Sequence, residues 1–122
     1  MIVAGFGFRK SASVASLQNA FERACVAVEP DYLAAPEDKA TAEAFRLFAE
    51  EIGVPIKAIP PDVLARQNTL TQSQVTLKER GIGSVAEAAA LAGAGQGARL
   101  ITERHISADR LATCALAKGE TS

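Results

Sequence analysis

Short apolar runs alternate with longer segments whose apolar residues recur every three or four positions, and this alternation constrains the fold more than any other feature. Residues 2–4 are apolar and lead into Gly5-Phe6-Gly7, which reads as a strand ending in a tight turn. Val14, Leu17, Phe21, Cys25 and Val28 then mark one buried face of a helix that Ser13 opens and Pro30 is expected to stop. Residues 32–35 form a second short run, closed by the polar stretch Pro36-Glu37-Asp38-Lys39, which reads as a turn. Thr41 is placed to cap another helix, with Phe45, Phe48, Ala49 and Ile52 as its stripe and Gly53 at its left-handed end. Residues 54–59 read as a third strand, and Pro55 puts it at a sheet edge or near its own start.

The second half repeats the alternation less evenly. Pro60-Pro61-Asp62 begins a short helical turn, and the polar residues 66–73 read as a mobile loop. Thr71 and Gln74 have the spacing of a capping box for a helix ending near Gly81, and a further helix runs from Ser84 to about Gly93. Gly93-Ala94-Gly95-Gln96-Gly97 reads as a helix stop and connector. Strands near residues 98–103 and 111–117 are close enough to pair as a hairpin, and residues 119–122 read as a frayed tail. The order β-α-β-α-β-α-α-β-β predicts an α/β fold, a three-layer α/β/α sandwich around a mixed sheet of about five strands. A length of 122 residues fits one domain, 1–122.

Composition removes several function classes. Hydrophobic residues make up 48%, enough for a core, and much of this is alanine, which suits close packing of helix on sheet. Thirteen basic against fourteen acidic residues leave no basic excess, so a general nucleic-acid binder is not expected. No apolar run approaches the ~20 residues of a membrane span. The N-terminus reads directly into a strand rather than a secretory leader, so a cytoplasmic protein is expected. Cys25 and Cys114 lack motif spacing and read as buried thiols. With His105 as the single histidine, there are too few soft ligands for a protein-held metal centre, and no bound cofactor is expected.

Two glycine-led elements carry the candidate chemistry. Gly5-Phe6-Gly7-Phe8-Arg9-Lys10 sits between a strand and a helix, the context of a dinucleotide fingerprint, but Lys10 occupies the place of the third glycine. What remains is close backbone approach at Gly5, Phe6 and Gly7, with Arg9 as a forked donor and Lys10 as a mobile charge. The second element, Gly81-Ile82-Gly83-Ser84-Val85-Ala86-Glu87-Ala88-Ala89-Ala90-Leu91, carries a Ser84-x-x-Glu87 capping box. Helix N-terminal N–H groups at Gly83, Ser84 and Val85 suit a carboxylate or phosphate. Gly93-x-Gly95-x-Gly97 follows a helix rather than a strand and lacks the lysine of a phosphate loop. Ser84 and His105 have no third partner for nucleophilic catalysis.

Together, Val3-Ala4-Gly5-Phe6-Gly7-Phe8-Arg9-Lys10 and the block from Gly81 to Ala89 make the chain resemble the CobE and CbiG C-terminal domain family of cobalamin biosynthesis. Lys39, Gly53-Val54-Pro55 and the closing hairpin agree more weakly, and the whole length is covered, as in a stand-alone CobE-type protein. Phe8 and Ile82 stand where family members often carry cysteine and threonine, and residues 105–113 depart from the usual hairpin turn. The resemblance implies a precorrin or cobalt-precorrin intermediate as ligand, carried or assisted through a pathway step. Any cobalt would be carried inside the tetrapyrrole. Arg9, Lys10 and Lys39 would then face its carboxylate rim. CbiG proteins open a cobalt-precorrin lactone with loss of acetaldehyde, so the resemblance also raises a hydrolase reading, with Glu87 as the candidate general base. A third reading is an interaction module for another cobalamin-pathway enzyme.

Overall fold

The structure is a computed structural model that describes residues 1–67 and 85–119. In chain order its elements are β1 (Ile2–Phe8), α1 (Val14–Ala24), β2 (Tyr32–Pro36), α2 (Glu37–Ala40), α3 (Glu43–Ile52), β3 (Ile56–Ile59), α4 (Pro61–Ala65), α5 (Val85–Ala94), β4 (Arg99–Leu100), β5 (His105–Ile106) and β6 (Ala112–Lys118). The strands form one six-stranded mixed sheet in the order β3-β2-β1-β6-β4, with β5 also paired to β6. β1, β2 and β3 are parallel, whereas β6 runs antiparallel to β1, β4 and β5. The fold is therefore α/β, with six strands where about five were expected. The difference lies in residues 98–106, where one expected strand is replaced by two short ones. A two-residue strand has no alternation to read from sequence.

Alternate residues of each strand face opposite sides of the sheet. Ala4 and Phe6 of β1 join Leu33 and Ala35 of β2 in a cluster with Leu17 and Ala20 of α1 and Phe45 and Phe48 of α3. Val3 and Ala34 face the other way, against Leu64 of α4 and Ala88, Ala89 and Ala90 of α5. Phe6 meets Phe45 and Phe48 edge-on at 5.5 and 5.6 Å between ring centroids. Each such pair adds about 0.5–1.5 kcal/mol beyond burial.

The alanine content finds its use where α5 crosses β1. A Cβ on Gly5 would lie 2.1 Å from the Ala86 carbonyl oxygen and 2.3 Å from the Ala90 nitrogen. Helix backbone touches strand backbone here, and only glycine leaves the room. This corrects the expected turn at Gly5-Phe6-Gly7, because β1 continues through these residues to Phe8.

Local signals met mixed outcomes. Ser13 caps α1 in a reciprocal pair with Ser16, each backbone N–H donating to the other's hydroxyl at 3.1–3.2 Å. The helix ends at Ala24, before Pro30, and the Cys25 N–H donates to the Phe21 carbonyl at 2.8 Å. Residues 37–40, expected as a turn, form α2. The N-cap position of α3 is Ala42 rather than Thr41, with no side-chain cap bond. Gly53 ends α3 at φ 70°, as its position foretold, and β3 begins after Pro55 at the sheet edge. Of the tail 119–122 expected to fray, Gly119 donates its N–H to the Met1 carbonyl at 2.8 Å, and residues 120–122 lie outside the described residues. The Thr71–Gln74 box, the helix to Gly81 and all but the first two residues of the expected loop 66–73 lie outside the described residues. Among the described residues, no helix is long and apolar enough to cross a membrane.

Candidate functional site

The sheet turns round at β1. From there the chain moves outward through α1 to β2 and through α3 to β3 along one face, while α5 lies on the other face ahead of the β6 side. Ligands of open α/β sheets sit outside the carboxyl ends of strands at such a reversal.

The side chains gathered at that end are cationic and aromatic. Phe8 closes β1, and Arg9 and Lys10 follow it, both exposed. The Arg9 N–H donates to the Leu111 carbonyl at 2.9 Å, which fixes the backbone where the two cations leave the sheet. β2 passes directly into α2, whose last turn places Lys39 Nζ 5.7 Å from the centroid of the Phe8 ring. That ring stacks on Phe45 at 5.3 Å. Val85, the first residue of α5, crowds Gly7: a Cβ there would meet Val85 Cβ and Thr113 Oγ1, each at 3.1 Å. The Thr113 hydroxyl donates to the Gly7 carbonyl at 3.2 Å. Among the described residues, no ion pair engages Arg9, Lys10 or Lys39. A cation over an aromatic ring, with two more at the adjoining strand end, suits an anion with an apolar body.

The candidates from sequence separate by position. Gly7, Arg9, Lys10, Lys39 and Val85 all lie at this end of the sheet, Lys39 on the Phe8 face, Gly7 and Val85 on the α5 face, and Arg9 and Lys10 just beyond the strand. Gly5 lies deeper under α5, and Phe6 is fully buried on the opposite face, so both support the site from beneath. Gly83 and Ser84 lie outside the described residues. Glu87 is fully buried, and its Oε2 accepts the Arg104 backbone N–H at 3.0 Å. Phe8 and Thr113 were not among the candidates. The signal for Phe8 was its place two residues beyond Phe6 on the same face of β1. Thr113 becomes relevant only through the β1–β6 register, which no local pattern encodes.

The 107–111 turn beside the site is tied to α1. The Asp109 carboxylate accepts from Ser107 Oγ at 2.6 Å, Ser16 Oγ at 2.5 Å and the Leu111 N–H at 3.1 Å. These bonds hold its carboxyl below the ordinary value, the two serine hydroxyls contributing most. Cys25 and Cys114 are free thiols, and burial, then the neighbouring Cys25, push the Cys114 thiol well above its usual range. Cys114 is therefore a core group and no nucleophile. Among the described residues, no group of histidine, cysteine and carboxylate side chains is placed to hold a metal ion. At the other end of β1 a shallow hollow is lined by Met1, Ile2, Asp31, Tyr32, Pro55 and Lys118.

Residues 2–117 match the family model described as the cobalamin synthesis G C-terminus. The chain belongs to this family. It is 34% identical to the solved structure of CobE, described as a protein from the cobalamin (vitamin B12) biosynthetic pathway. The match covers 96% of this chain and 89% of that one, with a TM-score of 0.83. It is 32% identical to the cobalamin biosynthesis protein chiG from Agrobacterium tumefaciens str. C58, over 98% and 99% of the two chains, with a TM-score of 0.75. A putative cobalamin biosynthesis protein G homolog from Sulfolobus solfataricus shares the fold at 20% identity and a TM-score of 0.69, over 98% of this chain and 37% of that one. No curated protein matches the chain. This is a CobE/CbiG C-terminal-type protein of cobalamin biosynthesis.

Proposed function

We propose that the chain binds a precorrin-type tetrapyrrole intermediate at the C-terminal end of β1, carrying it or assisting a pathway step. The observation behind this reading is Lys39 over the Phe8 ring, with Arg9 and Lys10 exposed directly after Phe8 in the chain and none of the three cations ion-paired among the described residues. Precorrins present acetate and propionate carboxylates around an apolar macrocycle. Arg9 suits bidentate capture of a carboxylate, and the lysines add mobile charge. The Phe8 ring offers the macrocycle an apolar contact. A hydrogen bond to a charged group is worth roughly 1.5–3 kcal/mol, and exposure keeps Arg9 and Lys10 near the lower figure.

The lactone-opening alternative gains less from the geometry. It would require Glu87 to reach the ligand, yet that side chain has no exposed surface and one oxygen engaged by backbone. The interaction-module reading leaves the cation group without a role.

Absorbance titration with purified precorrin intermediates tests the proposal, with Arg9→Ala/Lys39→Ala as the comparison. Saturable binding weakened about tenfold or more in the double variant is the expected result. Equal affinity of the two proteins would move the ligand elsewhere, and no binding to any intermediate would reject the reading.

A further inference from the structure

Glu87 stands apart from the cation group and has a different environment. It is in the first turn of α5 and has no exposed surface, although its neighbours on the helix are alanines. Burying a carboxylate is costly unless it is hydrogen-bonded. Its Oε2 takes the backbone N–H of Arg104, a residue 17 positions away that immediately precedes β5.

β5 needs such an anchor. It has two residues, too short a ladder to persist without support. Its far end is held by Arg23 Nη1, which donates to the Ile106 carbonyl at 2.9 Å, and by the Ser107 N–H on the Ala112 carbonyl at 2.9 Å. Glu87 holds the near end. In register, Ile106 lies beside Thr113, and Thr113 lies beside Gly7. Val85, two residues before Glu87, crowds the same Gly7 position. One side chain thus links the start of α5 to the strand that flanks Thr113.

We propose that Glu87 is a positioning residue. By holding the Arg104 N–H it fixes β5 along β6, and so sets Thr113 and the first turn of α5 at the mouth of the site. It exchanges no proton with the ligand. Only the ligand arm of the test below rests on the tetrapyrrole-binding reading.

Glu87→Gln keeps an oxygen that can accept the Arg104 N–H, whereas Glu87→Ala removes it. Two quantities are read: amide hydrogen exchange at Arg104, His105 and Ile106, and affinity for uroporphyrin III, a metal-free tetrapyrrole with acetate and propionate side chains. In Glu87→Ala these amides exchange about tenfold faster or more, β1 amides stay unchanged, and uroporphyrin binds several-fold more weakly. Glu87→Gln stays within about twofold of wild type in both. If Glu87→Ala fails to fold, Glu87→Asp, which withdraws the carboxylate by one methylene, carries the same expectation. Unchanged exchange at residues 104–106 in the variant lacking the contact overturns the proposal. So does a Glu87→Gln protein that keeps its protection but binds as weakly as Glu87→Ala, since the carboxylate itself would then act on the ligand. If wild type does not bind uroporphyrin, the result counts against the binding reading, and the exchange comparison still decides the anchor.

Discussion

Gly5 and Gly7 have the same alternation and nearly the same sequence context, yet the structure gives them different tolerances. The space a Gly5 side chain would need is occupied by helix backbone, at 2.1 Å to the Ala86 oxygen and 2.3 Å to the Ala90 nitrogen. Backbone cannot yield without moving α5 off the sheet. Gly5→Ala is therefore expected to cost about 3 kcal/mol or more. At Gly7 the neighbours are the side chains of Thr113 and Val85 at 3.1 Å, which can shift by a few tenths of an ångström. Gly7→Ala is expected within about 1 kcal/mol of wild type, because the lost glycine entropy offsets part of the crowding. Urea unfolding of the two variants checks the contrast, and equal losses would contradict the packing described for α5. The sequence marked both glycines as special. It could not say that one admits a helix while the other borders the site, because that depends on which part of α5 lies over each.

Element signals were clearest where the chain needs a particular residue for a local reason. Ser13 at the start of α1 and Gly53 at the end of α3 both report backbone geometry that few residues satisfy, and both were read correctly. Thr41 misled because a residue with capping chemistry is not obliged to use it, and α2 already occupies the chain up to Ala40. β4 and β5 were hidden because each has only two residues, and β5 is also held by side chains distant in sequence, Arg23 and Glu87. The 107–111 turn is a case in point: Asp109 binds Ser16, 93 residues away. Its folded-state carboxyl lies below the ordinary value of 3.8. A depressed carboxylate contributes stability that is present above the unfolded value and is lost as pH falls through the folded one. The stability difference between wild type and Asp109→Asn should therefore stay constant above about pH 5 and shrink below the ordinary carboxylate range. Urea unfolding at stepped pH measures it. A gap that persists undiminished at the acid end would show that the carboxylate charge is not what ties the turn to α1.

At the scale of the molecule, the alternation of runs was enough to foresee a mixed α/β sheet, and the family followed from the two glycine-led blocks. The site was only partly foreseeable. Arg9, Lys10 and Lys39 could be named as cations near strand ends, but the place of Lys39 over Phe8 depends on β2 lying parallel beside β1. Phe8 and Thr113 join only once the sheet is closed. The central claim is that the C-terminal end of β1 receives a carboxylate-rimmed tetrapyrrole. The most direct test is mapping amide chemical shifts of the labelled protein during titration with uroporphyrin III. Changes concentrated at Phe8, Arg9, Lys10, Lys39, Val85 and Thr113 are the predicted result. Changes confined to the hollow around Ile2, Asp31, Tyr32 and Lys118, or none at saturating ligand, would contradict it.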